Sequence, residues 1–295
     1  MKVEARTLAA LALAVPLALS ACSSGDETEA DVPAATETVA SPAQSTLPAG
    51  ADDAVARLDA SPRHGEWVMI RSGQDSIRSW VVYPERADNA PVVVVIHEIF
   101  GLSNWIRAVA DQLAADGFIA IAPDLLTMKG VPYGPDGESD ATAARTEIRT
   151  LEPADVNRLL SAVAQYGMAL PAARDTYGVV GFCWGGSASF AHAIAAPDLG
   201  AAVVYYGGSP DAATLSPIRA PVLGLYGGDD QRVNATIPAA EAAMRSMTKT
   251  FETHIFEGAG HGFLRAQSGM EGANMAATRD AWPLTVEWFR RALGS

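Results

Sequence analysis

The sequence is poor in the residues from which disulfide frameworks and metal sites are built. Only two cysteines, Cys22 and Cys183, occur among 295 residues, and their settings differ so much that a bridge between them is not expected. The five histidines show none of the His-x-His or His-x-x-x-His spacings that hold zinc. We therefore expect no disulfide, no metal centre and no cofactor.

Positive charge is also scarce. Lysine and arginine number 21 against 34 aspartates and glutamates, which gives a formal net charge of -13. Nucleic-acid binding requires a basic surface that neutralises phosphates, and this composition does not supply one. We exclude nucleic acid as a partner and expect a monomer that acts on a small molecule.

The N-terminus lacks an apolar run long enough to cross a membrane. The stretch from Leu8 to Leu19 has about twelve residues, whereas a spanning helix needs about 20. Lys2 and Arg6 precede the stretch and small residues follow it, which predicts a cleaved signal peptide over residues 1–21.

The sequence Leu-Ser-Ala-Cys ending at Cys22 resembles the bacterial lipoprotein box. This resemblance implies that Cys22 is lipidated and that the protein is an exported, membrane-anchored lipoprotein on the periplasmic or cell-surface side. The alternative is an ordinary signal peptide followed by an incidental cysteine.

The segment after Cys22 has few residues that build a core. Residues 23–53 are rich in Ser, Thr, Ala, Pro and acidic residues, and they include no Lys, Arg or aromatic residue. Such a segment buries too little apolar surface to offset the entropy lost on ordering. We expect residues 22–53 to form a disordered, lipid-anchored linker, and residues 54–295 to form the folded domain.

Apolar runs and helical patterns alternate through this domain. Eight short apolar runs are separated by turn residues, and the continuous Val/Ile block at 92–96 is typical of a strand buried on both faces. Five helical patterns lie between or after the runs, with the longest at 274–293. The pattern predicts an α/β-hydrolase fold: a mostly parallel sheet of about eight strands with an antiparallel leading edge and helices on both faces. Residues 127–149 interrupt it as an irregular insertion, a candidate rim or lid.

The first chemical signal is the sequence Gly-Phe-Cys-Trp-Gly at residues 181–185, between a predicted strand and a predicted helix. The pattern Gly-x-nucleophile-x-Gly permits the sharp strand-to-helix turn that presents a nucleophile at the edge of the sheet. The N-terminus of the helix favours the thiolate of Cys183. The alternative interpretation is a buried structural cysteine.

An acid and a histidine follow Cys183 along the chain. Asp229 and Asp230 end one predicted strand, and His261 follows the next one within a glycine-rich loop. This order of nucleophile, acid and histidine is the one that α/β-hydrolases use. His261 would deprotonate Cys183 and later protonate the leaving oxygen. Spacing alone does not decide between Asp229 and Asp230, and the alternative for His261 is a surface turn.

A carboxylate also follows the central predicted strand, in the sequence His-Glu-Ile-Phe-Gly at 97–101. Glu98 has either a catalytic role or a helix-capping role at this position. The turn after this strand and the residue after the nucleophile supply the backbone N–H groups of the oxyanion hole in this fold. We therefore expect Ile99 and Trp184 to form the oxyanion hole.

Together these motifs, which cover residues 64–293, resemble the dienelactone hydrolase family. The motifs are His-Glu-Ile-Phe-Gly at 97–101, Ala-Pro-Asp-Leu at 122–125, Gly-Phe-Cys-Trp-Gly-Gly at 181–186, Tyr-Tyr-Gly at 205–207, Gly-Gly-Asp-Asp at 227–230 and Gly-Ala-Gly-His-Gly-Phe-Leu-Arg at 258–265. The resemblance implies an enzyme that cleaves a carboxylic ester or lactone through an acyl-cysteine intermediate.

The resemblance also implies roles for individual residues. The catalytic triad falls on Cys183, Asp230 and His261, so the motif favours Asp230 over Asp229. Glu98 matches the glutamate that holds the resting thiol and accepts its proton when substrate binds. Residues matched to substrate binding are Arg265, which would hold a carboxylate, and Tyr205, with Arg145 or Arg149 as candidates for a second arginine.

Two other functions are compatible with the sequence. One is a non-catalytic binding lipoprotein on a hydrolase fold, because one fold hosts many functions. The presence of all four candidate residues, from Glu98 to His261, argues against this interpretation. The other is a thioesterase or peptidase that uses the same triad, which only a comparison of acyl substrates would distinguish.

Overall fold

The computed structural model describes residues 45–294. The predicted signal peptide at 1–21, the lipidation site Cys22 and the predicted linker as far as residue 44 lie outside the described residues. Within the described part, no helix is both long and apolar enough to cross a membrane.

The domain is built on one sheet of eight strands in the order β1-β2-β4-β3-β5-β6-β7-β8. Strand β2 is antiparallel to both of its neighbours, and the pairings from β4 through β8 are all parallel. The strands are β1 (Gly65–Ser72), β2 (Asp75–Val82), β3 (Ala90–Ile96), β4 (Ile119–Pro123), β5 (Ala173–Phe182), β6 (Ala201–Tyr205), β7 (Val222–Gly227) and β8 (Phe251–Phe256).

Helices cover both faces of this sheet. One core lies between the sheet and α1, α2 and α8, and the other lies between the sheet and α4, α5 and α7. The helices are α1 (Ala54–Asp59), α2 (Asn104–Ala115), α3 (Ala141–Glu147), α4 (Pro153–Met168), α5 (Trp184–Ala195), α6 (Gln231–Asn234), α7 (Ile237–Ser246) and α8 (Ala273–Leu293). The predicted α/β-hydrolase fold is confirmed.

Strand β3 explains why the central strands are uniformly apolar. Val93 and Val95 face the core beneath α2 and α8, whereas Val92, Val94 and Ile96 face the opposite core. All five side chains are fully buried because successive residues of a strand point to opposite faces, and both faces are covered. The polar residues that follow Ile96 therefore emerge at the C-terminal edge of a rigid strand.

The folded domain begins earlier than Ala54, so the expected linker boundary is wrong. Ala49 is buried, and its carbonyl accepts a hydrogen bond of 3.1 Å from Trp105 Nε1 on α2. The backbone N–H of Ala51 donates to the carbonyl of Arg265 at 2.8 Å. Residues 45–53 are ordered by contacts that composition does not reveal, and they reach the loop that follows β8.

The insertion at 127–149 is less irregular than the sequence suggests, because it contains α3. The Asp140 side chain accepts a hydrogen bond from the backbone N–H of Ala143, which caps the start of this helix. Ala144 and Ile148 are buried in a small apolar cluster, against which Ile99 and Trp184 pack. The insertion therefore covers the two residues expected to form the oxyanion hole.

Arginine–aromatic contacts hold the insertion against the leading strands. The Arg78 guanidinium of β2 lies 3.4 Å from the centre of the Trp67 ring and 4.3 Å from that of Tyr133, a residue of the insertion. Its Nη1 also donates to the carbonyl of Gly137 at 2.9 Å. The insertion is thereby fixed at two points beside the catalytic edge of the sheet.

Candidate active site

The predicted chemical residues come from four different strand ends. Glu98 follows β3, Cys183 follows β5, Asp230 follows β7 and His261 follows β8. Parallel strands end at a common edge, so residues far apart in sequence meet there. This edge is also where α/β folds bind their ligands.

Cys183 occupies a strained turn between β5 and α5. Its backbone has φ 55° and ψ -114°, which non-glycine residues rarely adopt and which occurs mostly at functional sites. The turn is possible because glycines lie two residues before and two residues after Cys183. A Cβ on Gly181 would lie 1.9 Å from the carbonyl oxygen of Gly185. The strain and the glycines are those of a nucleophile elbow, and the thiol remains partly accessible to solvent.

Asp230 and His261 form the hydrogen-bonded pair that the sequence predicts. Asp230 Oδ2 contacts His261 Nδ1, and Asp230 Oδ1 accepts from the backbone N–H of Val233 at 3.4 Å. Asp230 is buried, whereas Asp229 is exposed. The contact leaves Nε2 of the imidazole free for an incoming group.

Within residues 45–294 no other side chain forms a hydrogen bond with the Cys183 thiol, which receives one from the backbone N–H of Trp184. Burial and, after it, the negative charge of Glu98 are the main causes that raise the pKa of the thiol from 9.0 to about 11. The backbone N–H of Trp184 lowers the thiol pKa by donating to the sulfur, and the charge of Arg232 also lowers it. The resting thiol is therefore protonated, although a helix N-terminus faces it.

Glu98 is a buried carboxylate with one cationic neighbour. Only 4% of its surface is exposed, and burial raises its pKa from 4.5 to about 7 although the charge of Arg265 lowers it. Arg265 Nε lies 3.3 Å from Glu98 Oε2, yet this oxygen has no hydrogen-bond partner among the described residues. We interpret the pair as an ion pair without hydrogen-bond alignment.

His97 fixes the backbone of the turn that carries Glu98. Its Nε2 accepts from the backbone N–H of Leu125 at 3.2 Å, so the proton lies on Nδ1, which donates to the carbonyl of Glu98 at 2.8 Å. Burial lowers the pKa of His97, which keeps the imidazole neutral. The sequence analysis did not identify this role, although His97 directly precedes Glu98.

The two expected oxyanion residues pack against the same small apolar cluster, Trp184 directly after the nucleophile and Ile99 in the turn after β3. Trp184 is the first residue of α5, where backbone N–H groups have no partner inside the helix. The backbone N–H of Ile99 has no backbone partner among the described residues. The Ile99 N–H is open to a new acceptor, whereas the Trp184 N–H donates to the Cys183 sulfur at rest and would have to exchange the sulfur for an oxygen that develops negative charge.

Two arginines share one aromatic ring next to Glu98. The guanidinium of Arg265 lies 4.8 Å from the centre of the Phe100 ring, and that of Arg145 on α3 lies 4.7 Å from it. No such contact is found for Arg149, which is exposed on the turn after α3. Of the two candidates in the insertion, Arg145 is the one brought to the site.

The structure does not bring Tyr205 to the substrate side of the site. Its ring is fully buried, and its hydroxyl makes a hydrogen bond of 2.6 Å with Thr285 Oγ1 on α8. The predicted substrate contact does not agree with this position in the core. The next residue, Tyr206, lies with its ring centre 5.2 Å from that of His261, and the sequence analysis missed it.

A strained elbow and an aspartate–histidine pair at the C-terminal edge of the sheet are features of the α/β-hydrolase class. The sequence profile of the Dienelactone hydrolase family matches residues 77–293. The chain therefore belongs to the dienelactone hydrolase family and is a hydrolase.

Individual relatives agree with this assignment. A protein of Escherichia coli (strain K12), provisionally named a carboxymethylenebutenolidase, is 30% identical over 264 residues, which are 85% of this chain and 93% of the relative. The carboxymethylenebutenolidase of Rhodococcus opacus is 30% identical over 212 residues, which are 68% of this chain and 81% of that protein. The crystal structure of a provisionally named dienelactone hydrolase from Klebsiella pneumoniae subsp. pneumoniae MGH 78578 has 29% identity and a TM-score of 0.67, covering 77% of this chain and 98% of that one.

Proposed function

We propose that this protein is a cysteine-dependent hydrolase that cleaves an anionic carboxylic ester or lactone through an acyl-cysteine intermediate. Cys183 is the nucleophile, and His261 with Asp230 forms the rest of the triad. The observation that carries the proposal is the buried Glu98, whose negative charge acts on the Cys183 thiol and whose ion-pair partner is Arg265.

In the resting enzyme the thiol keeps its proton. With a pKa of about 11, only about one thiol in ten thousand is ionised at pH 7. A protonated thiol resists oxidation better than a thiolate, which suits an exported enzyme. Activation therefore has to come from the substrate.

The ion pair between Arg265 and Glu98 provides a route for this activation. Arg265 lowers the pKa of Glu98 in the resting state. A substrate carboxylate that binds Arg265 competes with Glu98 for the guanidinium, and the pKa of Glu98 then rises. Glu98 becomes a better proton acceptor at the moment when substrate arrives, and it takes the proton of the Cys183 thiol.

The thiolate then attacks the carbonyl carbon of the ester. The new S–C bond forms while the carbonyl oxygen gains negative charge, which the N–H groups of Ile99 and Trp184 stabilise. Collapse of this intermediate breaks the C–O bond, and the leaving oxygen takes the proton that Glu98 received.

Hydrolysis of the acyl-enzyme follows. His261 Nε2 removes a proton from water, the hydroxide attacks the thioester, and the C–S bond breaks. His261 returns this proton to the sulfur, while Asp230 stabilises the imidazolium.

The charges around Phe100 favour an anionic substrate. Arg145 and Arg265 both lie within 5 Å of the ring centre, so a carboxylate near Phe100 meets two guanidinium groups. Guanidinium groups bind carboxylates through two parallel hydrogen bonds. Neutral esters have no carboxylate to compete with Glu98 for Arg265, so they would react more slowly at Cys183 as well as bind more weakly.

The test compares p-nitrophenyl acetate with p-nitrophenyl hemisuccinate, a neutral and an anionic ester. Cys183→Ala and His261→Ala should abolish turnover of both esters, and mass spectrometry should detect the acyl group on Cys183 in the wild type. Arg145→Gln should raise KM for the anionic ester about tenfold, because it removes a charged hydrogen-bonding group. Arg149→Gln is the matched control and should leave KM unchanged.

Other results would contradict the proposal. Retained turnover in Cys183→Ala would exclude Cys183 as the nucleophile. Equal effects of Arg145→Gln and Arg149→Gln would exclude a specific anion site at Phe100. Faster turnover of acyl thioesters than of matched oxygen esters would indicate a thioesterase.

We also propose, from the sequence around Cys22, that the mature protein is anchored in a membrane by lipid. Cys22→Ser should move the protein from the membrane fraction to the soluble fraction of expressing cells, and it should abolish incorporation of labelled fatty acid. A Cys22→Ser protein that keeps its label and its membrane association would contradict this proposal.

A further inference from the structure

Tyr206 is an unusual residue at the end of β6. Its side chain is fully buried, and its hydroxyl has no hydrogen-bond partner among the described residues. Its backbone adopts a positive φ of 40°, which is strained for a residue with a large side chain. A buried phenol without a partner costs stability that a phenylalanine would not lose. We therefore expect this hydroxyl to have a functional role in the active site.

Aromatic contacts fix the orientation of the Tyr206 ring. Its centre lies 5.4 Å from that of Phe263 and 6.3 Å from that of Phe182, and it meets His261 edge-on at 5.2 Å. The ring therefore lies between the elbow that carries Cys183 and the loop after β8. These contacts restrict rotation of the side chain, so the hydroxyl cannot easily reach a hydrogen-bond partner elsewhere.

Tyr206 and Glu98 adjoin the same loop after β8: the Tyr206 ring packs against His261 and Phe263, and Arg265 Nε lies 3.3 Å from Glu98 Oε2. Burial raises the pKa of this phenol well above its usual range, and the negative charge of Glu98 is the next cause, ahead of Cys183. Glu98 Oε2 is itself a buried oxygen without a hydrogen bond. The site thus contains a buried donor and a buried acceptor that are both without a hydrogen bond, while Arg265 is the ion-pair partner of the acceptor at rest.

We propose that Tyr206 is a positioning residue that replaces Arg265 as the partner of Glu98 when substrate binds. The proposal rests on the proposed function. As the substrate carboxylate takes Arg265, the Glu98 carboxylate moves to the Tyr206 hydroxyl and accepts its hydrogen bond. This bond keeps the buried carboxylate ionised until the Cys183 proton reaches it.

The role explains why the hydroxyl has no partner at rest. Without a second donor, a buried carboxylate that lost Arg265 would take a proton from solvent, because burial strongly favours its neutral form. Glu98 would then be unable to accept the thiol proton. Other titratable or charged groups also act on Glu98, Cys183 or Tyr206. They are Arg265, Tyr205, His261, Asp230 and Arg232.

The test is the pH dependence of hydrolysis of p-nitrophenyl hemisuccinate by the full-length Tyr206→Phe variant. The dependence of kcat reports ionisations in the substrate complex, and that of kcat/KM reports those in the free enzyme. Loss of the hydroxyl should move the acid limb of kcat upward by about one pH unit, since a hydrogen bond to a charged group is lost. The acid limb of kcat/KM should stay in place, because Arg265 is the partner of Glu98 in the free enzyme.

Tyr205→Phe is the matched control, since it removes one hydroxyl from the adjacent buried ring. It should lower Tm, because it breaks the hydrogen bond to Thr285, and it should leave both pH profiles in place. Tyr206→Phe should not lower Tm, because no partner is lost. If Tyr206→Phe does not fold, 3-fluorotyrosine at position 206 gives a second test. As a stronger donor, it should move the acid limb of kcat downward.

Three outcomes would overturn the proposal. An unchanged kcat profile in Tyr206→Phe would show that the hydroxyl does not act on Glu98. Equal shifts in kcat and kcat/KM would show that it acts before substrate binds. If Tyr206→Phe shifted the acid limb of kcat by the same amount in a protein that also carries Glu98→Gln, the hydroxyl would act on a group other than Glu98. Failure of the proposed function is separate, because retained turnover in Cys183→Ala would reveal it whatever Tyr206 does.

Discussion

Replacement of Glu98 by glutamine should change how the stability of the protein depends on pH. In the unfolded chain this carboxyl ionises near its ordinary pKa of 4.5, whereas in the folded protein its pKa is about 7. Between these values the folded state holds a proton that the unfolded state has released. Stability of the wild type therefore falls as pH rises through this window, because the unfolded state binds fewer protons.

The magnitude follows from the two pKa values. Each pKa unit corresponds to about 1.4 kcal/mol, so a rise from 4.5 to about 7 corresponds to about 3 kcal/mol. The wild type has this contribution at pH 4.5 and has lost it at pH 8. Glutamine does not titrate, so its buried amide contributes equally at both pH values. The free energy of unfolding of Glu98→Gln minus that of the wild type should thus increase by about 3 kcal/mol from pH 4.5 to pH 8.

Urea unfolding at the two pH values measures this difference. Glu85→Gln, in the exposed loop between β2 and β3, is the matched control and should differ from the wild type equally at both pH values. A Glu98→Gln difference that also stays constant would refute the reasoning. It would mean that Glu98 is ionised in the folded protein at the same pH as in the unfolded chain.

Three further predictions concern the rest of the site. Asp230→Asn should lower kcat for p-nitrophenyl acetate by roughly 10³-fold to 10⁴-fold, because it no longer stabilises the His261 imidazolium; an effect under tenfold would exclude this role. Gly181→Ala should lower the free energy of unfolding in urea by about 3 kcal/mol, since its Cβ would overlap the Gly185 carbonyl, and a wild-type value would contradict the prediction. Phe100→Leu should raise KM for the anionic ester about tenfold by removing two cation–π contacts, and a similar rise for the neutral ester would argue against a specific effect.

The sheet was predictable because its signal is local and repeated. Strand β3 is a run of apolar residues that only a fully covered strand explains, and glycines mark the turns that follow β5 and β7. The order of Cys183, Asp230 and His261 along the chain then placed these residues at one edge without any knowledge of the loops. Strand ends determine where such residues meet, so those residues of the candidate site that directly follow a strand were predictable.

The features that the sequence analysis missed depend on contacts between distant segments. Residues 45–53 resemble a linker in composition, but backbone hydrogen bonds order them, and backbone groups leave no trace in composition. Helix α3 is short, and the many glycines and prolines before it hid its cap at Asp140.

The two tyrosines show a second limit. Tyr205 and Tyr206 are identical in type and adjacent, yet Tyr205 bonds Thr285 in the core, whereas Tyr206, with its positive φ, meets His261.

The early start of the folded domain has a practical consequence for work on the purified protein. A trimmed chain that began at Ala54 would lose the amide that binds the Arg265 carbonyl and the carbonyl that binds the Trp105 indole. Such a protein would hold the loop of Arg265 less firmly, and a high KM for acidic esters measured on it would not test the proposed anion site fairly. Recombinant versions should therefore retain every residue from Ser45 onward.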